Sequence, residues 1–451
     1  MSLTSLKLSV KQNTRAANVI RQALYSIFLK GASLLIAFLY VPLLLNYLDS
    51  EKYGIWLTVL TITNWVSVFD VGLGNGLRNK LGTALATGDK ELSRIYISTT
   101  YALVGMLTLA FLLLFNLLNY YIPWNKVLNT SFVSVEELYL LTSIAISVTI
   151  LRFFVQLVGV IFIAHQMSSK NDLILTLSSM ISLLTVFIIS KVLPPGNILV
   201  LSLAITLVPV LLYVLFSLLA FSDRFKDIRP SARYVRIGYS RALLSLSGRF
   251  FIVQVTALVV YASANVVVAN LFGPKEVIVY NTAFTIFNAT IMMMALCLSP
   301  VWSSVTDAYA LKDFTYLKKT LRRLNYLALL LSAGVLLLLG ISNFIFDIWL
   351  KGKVIIPFML SSSMAFYAII YMFQAPYSIF INGMGKMKIT SRLAIISIAV
   401  YLAAAIVLSK LLNSSAGVIL AIALCGLISL VIERIQVKKL LNNTATGIWN
   451  K

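Results

Sequence analysis

Three ionisable side chains fall inside long apolar stretches: Lys30, Asp70 and Arg152. A charge at the bilayer centre costs about 2.5–3.5 kcal/mol on insertion scales, so each needs a partner, water or a ligand. Lys30 follows Arg21 by nine residues and Asp70 precedes Arg78 by eight. At helical rise those offsets are about 13 and 12 Å. Equal depth on neighbouring antiparallel helices is the condition for a Lys30–Asp70 ion pair, structural or functional. Arg152 lies fifteen residues after Glu137 and thirteen before His165, near the middle of its helix and without a depth-matched acid. It should face a wetted cavity, with Gln156 one turn along the same face. A guanidinium offers paired donors to phosphate; the alternative is an interhelical hydrogen-bond anchor.

Amide and hydroxyl side chains recur at helical spacing around these charges. They include Thr63, Ser67, Asp70 and Gly74; Gln254, Tyr261 and Asn265; and Asn281, Thr285 and Asn288. Such stripes line water or glue helices together. The candidate ligand contacts are therefore Arg152, Lys30, Gln156, Asn64, Gln254, Asn265 and Asn288, with Asp70 the candidate for ion coupling. Gln374 beside Pro376 marks a kink. The lone His165 cannot build a metal site and reads as a solvated helix end. Cys297 and Cys425 sit in apolar runs as small hydrophobes. The glycines of Asp70-Val-Gly-Leu-Gly-Asn-Gly-Leu-Arg78 follow no strand, so they do not read as a nucleotide loop. No P-loop is present, so the chain is not expected to use ATP.

The elements that must hold these residues are membrane helices. The chain has 451 residues, 60% hydrophobic and 12% charged. Apolar runs long enough to cross about 30 Å of hydrocarbon recur throughout, and lipid demands that each satisfy its backbone internally as a helix. The expected spans are 22–46, 53–77, 95–120, 138–164, 171–193, 197–221, 243–271, 277–303, 324–347, 354–381, 390–412 and 415–437. The fold class is thus all-α: a polytopic membrane protein of twelve helices in two six-helix bundles. The amino terminus has no cleavable signal pattern, so the first helix should stay as an anchor.

Alternate loops divide the basic residues unequally. Of 37 Lys and Arg, 28 fall on the side of the amino terminus, seven on the other, and Lys30 and Arg152 lie within helices. The positive-inside rule then places both termini in the cytoplasm. The asymmetry also accounts for most of the net charge of +22 without nucleic acid. The basic stretch around Pro230 separates an N-terminal bundle (1–222) from a C-terminal one (243–451), with 223–242 as a cytoplasmic linker.

The two bundles repeat. Thr58-Val-Leu-Thr61-Ile62-Thr63-Asn64 matches Thr282-Ala-Phe-Thr285-Ile286-Phe287-Asn288 at an offset of 224, which also aligns Asn46 with Asn270, Ala86 with Ala310 and Asp89 with Asp313. A smaller echo links Ile161-Phe162-Ile163 with Ile379-Phe380-Ile381. Six intervening helices make this a parallel repeat, an arrangement found in transporters.

Pro42 with Tyr53-Gly54-Ile55-Trp56, the Asp70–Arg78 glycine segment, Gly88-Asp89 and Asn382-Gly383-Met384-Gly385-Lys386 together carry a resemblance. From about residue 15 to 440 the chain resembles the Wzx-type O-antigen and polysaccharide flippases, the polysaccharide-exporter branch of the MOP superfamily. That resemblance implies movement of an undecaprenyl-pyrophosphate-linked oligosaccharide from the cytoplasmic to the periplasmic leaflet of a bacterial inner membrane. Transport would use alternating access through a cationic cavity between the bundles. It implies membrane lipids, a polysaccharide polymerase and chain-length proteins as partners, and no cofactor beyond a gradient of H+ or Na+. A drug or cation exporter of the same superfamily would favour acidic, aromatic cavities. A peptidoglycan-precursor flippase usually has two more helices. A membrane enzyme acting on lipid-linked sugars needs an acidic motif or a large external loop, and neither is seen.

Overall fold

The computed structural model describes residues 3–48, 50–67, 72–128, 130, 133–350 and 355–450. Among them the regular structure is all helical. The first helices are α1 (Leu3–Tyr47), α2 (Ser50–Ser67), α3 (Leu73–Ala86), α4 (Lys90–Asn119) and the single turn α5 (Trp124–Val127). Next come α6 (Val135–Val155), α7 (Leu157–Ala164), α8 (Ser168–Val192), α9 (Ile198–Ser222) and α10 (Ile237–Phe272). The last are α11 (Pro274–Ala310), α12 (Phe314–Leu350), α13 (Phe358–Met384), α14 (Lys388–Leu412) and α15 (Ala416–Leu441). Ten helical stretches among the described residues are long and apolar enough to span a membrane. They coincide with the third to twelfth expected spans; α6 and α7 share one span, Val135–Ala164.

The second expected span departs from expectation. The helix does not continue unbroken to Leu77: α2 ends at Ser67, Gly72 is left-handed with φ of 65°, and α3 starts afresh and runs to Ala86. Arg78, expected in a loop, is a buried helical residue with 7% exposure. Glycine is the reason α3 can pack inward. A Cβ on Gly76 would stand 2.1 Å from Ser247 Oγ, and one on Gly72 would stand 2.5 Å from the Ser247 carbonyl oxygen. The spaced glycines of this motif therefore bring two helix backbones together, the small-residue device of membrane bundles.

Residues Asn13–Phe251 form one compact unit, and Ile252–Lys451 with Met1–Gln12 form the other. In the first, α6 packs on α2, α4 and α9, and half of its span is buried. In the second, α13 packs on α11, α12 and α15 and is 61% buried along its span. These are the fourth and tenth expected spans, partners in the repeat.

A corner repeats atom for atom. Gly88, at φ 75°, precedes Asp89, whose carboxylate accepts the Leu92 N–H at 2.8 Å. Lys312, at φ 56°, precedes Asp313, whose carboxylate accepts the Tyr316 N–H at 3.0 Å. The Asp89 N–H donates to Ala84 and the Asp313 N–H to Ala308. Every one of these pairs keeps the offset of 224. At the second corner Gln166 and Gly385, both at positive φ, end their helices with equivalent backbone bonds. The offset there is 219, one more than the Ile-Phe-Ile echo. N-cap removal costs about 1 kcal/mol. Asp89→Ala and Asp313→Ala should therefore destabilise by similar amounts, read as paired drops in melting temperature of the detergent-purified protein.

Helix α1 is stitched to α8 in parallel. Asn18 Nδ2 donates to the Gln166 carbonyl at 3.2 Å, the Ser169 N–H to Gln22 Oε1 at 2.9 Å, and Ser26 to Asp172 at 2.5 Å. Thr176 reaches the Leu29 carbonyl at 3.1 Å and Ser33 at 3.0 Å. Both residue series rise together, so the first and fifth spans cross in the same sense, as an alternating chain requires.

The segment after α9 is a strap. Lys90 pairs with Asp227 at 2.6 Å and holds that carboxyl below its ordinary pKa. Arg94 donates to the Arg229 carbonyl at 3.0 Å and stacks over Tyr234. Ser98 and Thr99 accept the Ser231 and Arg236 N–H groups at 3.1 Å each. Positions 90, 94 and 98 repeat every four residues, so one face of α4 fastens the whole connection.

His165 is not the solvated helix end expected of it. Its Nδ1 is 2.8 Å from the Ile161 carbonyl and its ring lies against Phe225, centroids 4.4 Å apart. Burial lowers its pKa, a push only partly countered by the Ile161 bond and reinforced by nearby Arg224. Folding thus favours the neutral ring, and the contribution is complete above about pH 6.5 and lost as pH falls from there towards the lower folded value. Thermal stability should decline over that window, and His165→Gln should flatten the decline.

Candidate functional site

The central helix α6 carries Arg152 seventeen residues from its start, so the α-carbon sits about 25 Å along the span. Its guanidinium carbon lies 5.9 Å from the centre of the Tyr213 ring on α9, within cation–π range. Nε is buried and has no hydrogen-bond partner among the described residues. The Tyr213 hydroxyl donates to Asn171 Oδ1 at 3.2 Å, and the adjacent Asp172 accepts from Ser26. Tyr213, Asp172 and Ser26 are 3%, 7% and 1% exposed. A polar track thus runs from Arg152 through Tyr213 to Asn171, Asp172 and α1.

Backbone breaks accompany it. The α6/α7 span is interrupted at Gln156, whose carbonyl takes the Gly159 N–H at 2.9 Å. Pro209, one turn before Tyr213, removes a helical N–H from α9. Gly159 lets α7 approach the track: a Cβ there would come within 2.2 Å of Asn171 Oδ1. Interrupted helices at membrane depth are tolerated where protein or a water-lined cavity satisfies the freed groups.

Four candidates, Arg152, Gln156, Lys30 and Asn64, belong to the N-terminal unit. Arg152, Gln156 and Lys30 are half-buried and Asn64 is exposed. Lys30 stands one turn beyond Ser26 on α1. Asp70 lies outside the described residues, and so does the expected Lys30–Asp70 pair. Gln254, Asn265 and Asn288 belong to the C-terminal unit. Gln254 is half-buried, its Oε1 without a hydrogen-bond partner among the described residues, Asn288 is half-buried and Asn265 is exposed. Two stripes act in part as glue: Asn281 Nδ2 donates to Asn265 at 3.0 Å, and the Tyr261 and Tyr367 hydroxyls meet at 2.5 Å.

Two buried acids escaped the sequence reading. Asp172 lies in the first turns of α8 and Glu433 in the last turns of α15, positions where an acid reads as solvated. Glu433 is 1% exposed and accepts from Ser378 and Gln374 on either side of Pro376. A hydroxyl on a neighbouring helix, Ser378 two residues from the kink proline Pro376 or Ser26 four residues from Lys30, is the signal that could have flagged them. Breaking a buried hydrogen bond to a charged group costs about 1–3 kcal/mol. Asp172→Ala should lower the melting temperature more than Asp172→Asn, which keeps an acceptor for Ser26.

The comparisons with known proteins agree with this architecture. The family model for polysaccharide biosynthesis proteins matches residues 19–305, and the MatE model matches 250–409. A Yersinia pseudotuberculosis protein, named provisionally as an O-antigen export protein, is 23% identical over 367 residues, covering 79% of this chain and 81% of its own. An outward-facing multidrug-resistance MATE transporter of the MOP superfamily shares the fold, with a TM-score of 0.79 at 13% identity over 95% of this chain and 96% of that one. A MOP-superfamily transporter from Pyrococcus furiosus gives 0.76 at 14% identity over 94% and 96%. The chain belongs to the polysaccharide biosynthesis protein family.

Proposed function

We propose that this protein is a flippase that moves an undecaprenyl-pyrophosphate-linked oligosaccharide repeat unit from the cytoplasmic to the periplasmic leaflet. The family match over residues 19–305 is the observation that carries this reading; the export function named for the Yersinia relative supports it. A sugar diphosphate cannot enter hydrocarbon unaided, because each unpartnered polar group costs several kcal/mol. Arg152 supplies an unused buried donor at mid-span, and Gln156 and Lys30 add polar reach in the same unit. Gln254, Asn265, Asn288 and Asn64 are proposed to meet the sugar as the cationic cavity alternates its access. The prenyl tail stays in lipid. Both termini are proposed to lie in the cytoplasm of a bacterial inner membrane, and an H+ or Na+ gradient, coupled through Asp70, is proposed to drive the cycle.

The test is deletion of the gene in a polysaccharide-producing bacterium with no other exporter of its class. Lipid-linked repeat units should accumulate on the cytoplasmic leaflet, protected from a periplasmic glycosidase. Normal arrival of those units in the periplasm would reject the assignment.

A further inference from the structure

Helices α4 and α9 each pack on α6, and the cleft between them is a cavity of about 590 Å³. Its floor is Phe154 and Val155, its walls include Ala102 and Leu218, and its roof is the strap at Arg229 to Ala232 and at Val235. The volume falls within the range of ligand pockets, roughly 300–1,000 Å³. The lining is overwhelmingly apolar. On the α9 side the flank is open, with Leu211, Leu215, Leu218 and Leu219 all exposed. Above it the strap presents Arg229, Arg233 and Arg236 as exposed side chains. Asp227, the nearest acid on the strap, is already held by Lys90.

We propose that this cavity binds one anionic phospholipid from the leaflet on the basic side of the membrane. An acyl chain would lie in the hollow and the phosphate against the strap arginines. The arrangement matches a basic pocket between membrane helices, the form in which anionic headgroups are held. An undecaprenyl chain is far longer than an acyl chain and would overfill the hollow, and both walls and roof belong to the N-terminal unit alone. The site is independent of the transport reading. The strap is fastened through its backbone, by the Arg229 carbonyl and the Ser231 and Arg236 N–H groups; Arg236 Nη1 turns back to the Arg233 carbonyl at 3.1 Å, which leaves the exposed Arg229 and Arg233 heads to serve the lipid.

The experiment uses the full chain in detergent, titrated with phosphatidylglycerol or phosphatidylcholine and read by native mass spectrometry. One phosphatidylglycerol should be retained in preference to phosphatidylcholine. Arg229→Gln and Arg233→Gln together should erase most of that preference, roughly fivefold per arginine. Ala102→Trp should remove the bound lipid by filling the hollow. Should that variant fold poorly, Leu218→Trp at the exposed mouth serves the same purpose. Equal retention of both lipids by the wild type, or unchanged retention in the arginine and cavity-filling variants, would overturn the site. So would displacement of phosphatidylglycerol by equimolar undecaprenyl pyrophosphate.

Discussion

Arg152→Ala should cut export of lipid-linked repeat units by about 10- to 100-fold while the protein still reaches the membrane. The magnitude is the 1.5–3 kcal/mol of a hydrogen bond to a charged group, and Nε is buried with no hydrogen-bond partner among the described residues. Arg152→Lys keeps the charge and loses the planar fork, so it should fall between. The competing role, an anchor holding α6 to α9 over the Tyr213 ring, makes a different forecast. Melting temperature would drop in both variants, and export per folded molecule would stay at the wild-type level. Measuring periplasmic repeat units per folded transporter separates the two, and wild-type export in both variants would end the substrate role.

Gly72→Ala should be the most damaging single methyl in the N-terminal unit. The residue sits at φ 65°, a region that costs other residues about 1–2 kcal/mol. The new Cβ would also stand 2.5 Å from the Ser247 carbonyl oxygen. Overpacking adds about 1–3 kcal/mol, so the sum is roughly 2–5 kcal/mol. Gly76→Ala meets a different obstacle, the Ser247 hydroxyl at 2.1 Å, which is buried without a hydrogen-bond partner among the described residues. Ser247→Ala should therefore rescue much of Gly76→Ala and none of Gly72→Ala, whose clash is with backbone. A double-mutant cycle on thermal unfolding measures this coupling; equal rescue at both sites would refute the packing account.

These two cases show what the sequence could and could not disclose. The spans were legible because hydrocarbon thickness dictates their length; about half of the observed helix ends lie within two residues of the expected ones, and others, such as the start of α12 at Phe314, run on by up to nearly three turns. Arg152 was legible because nothing short of a site or an anchor explains a guanidinium there. Its neighbours were not. Asn171 and Tyr213 lie 42 residues apart, and nothing local announces that they meet. Asp172 and Glu433 hide near helix ends, where charge is cheap, and only packing reveals them as interior. The glycines around residues 72 to 76 were visible as a pattern, yet their purpose is the close approach of Leu243 and Ser247, far along the chain.

The repeated corner has a consequence for how the helices sit in a bilayer. At Asp89 and again at Asp313 a side-chain carboxyl oxygen accepts one first-turn backbone N–H of the helix that follows. Sliding either helix inward would drag a polar carboxyl group and its cap into oil. Each half of the chain thus carries a depth stop at the same ordinal position, which keeps α4 and α12 from sinking when lipid thickness changes.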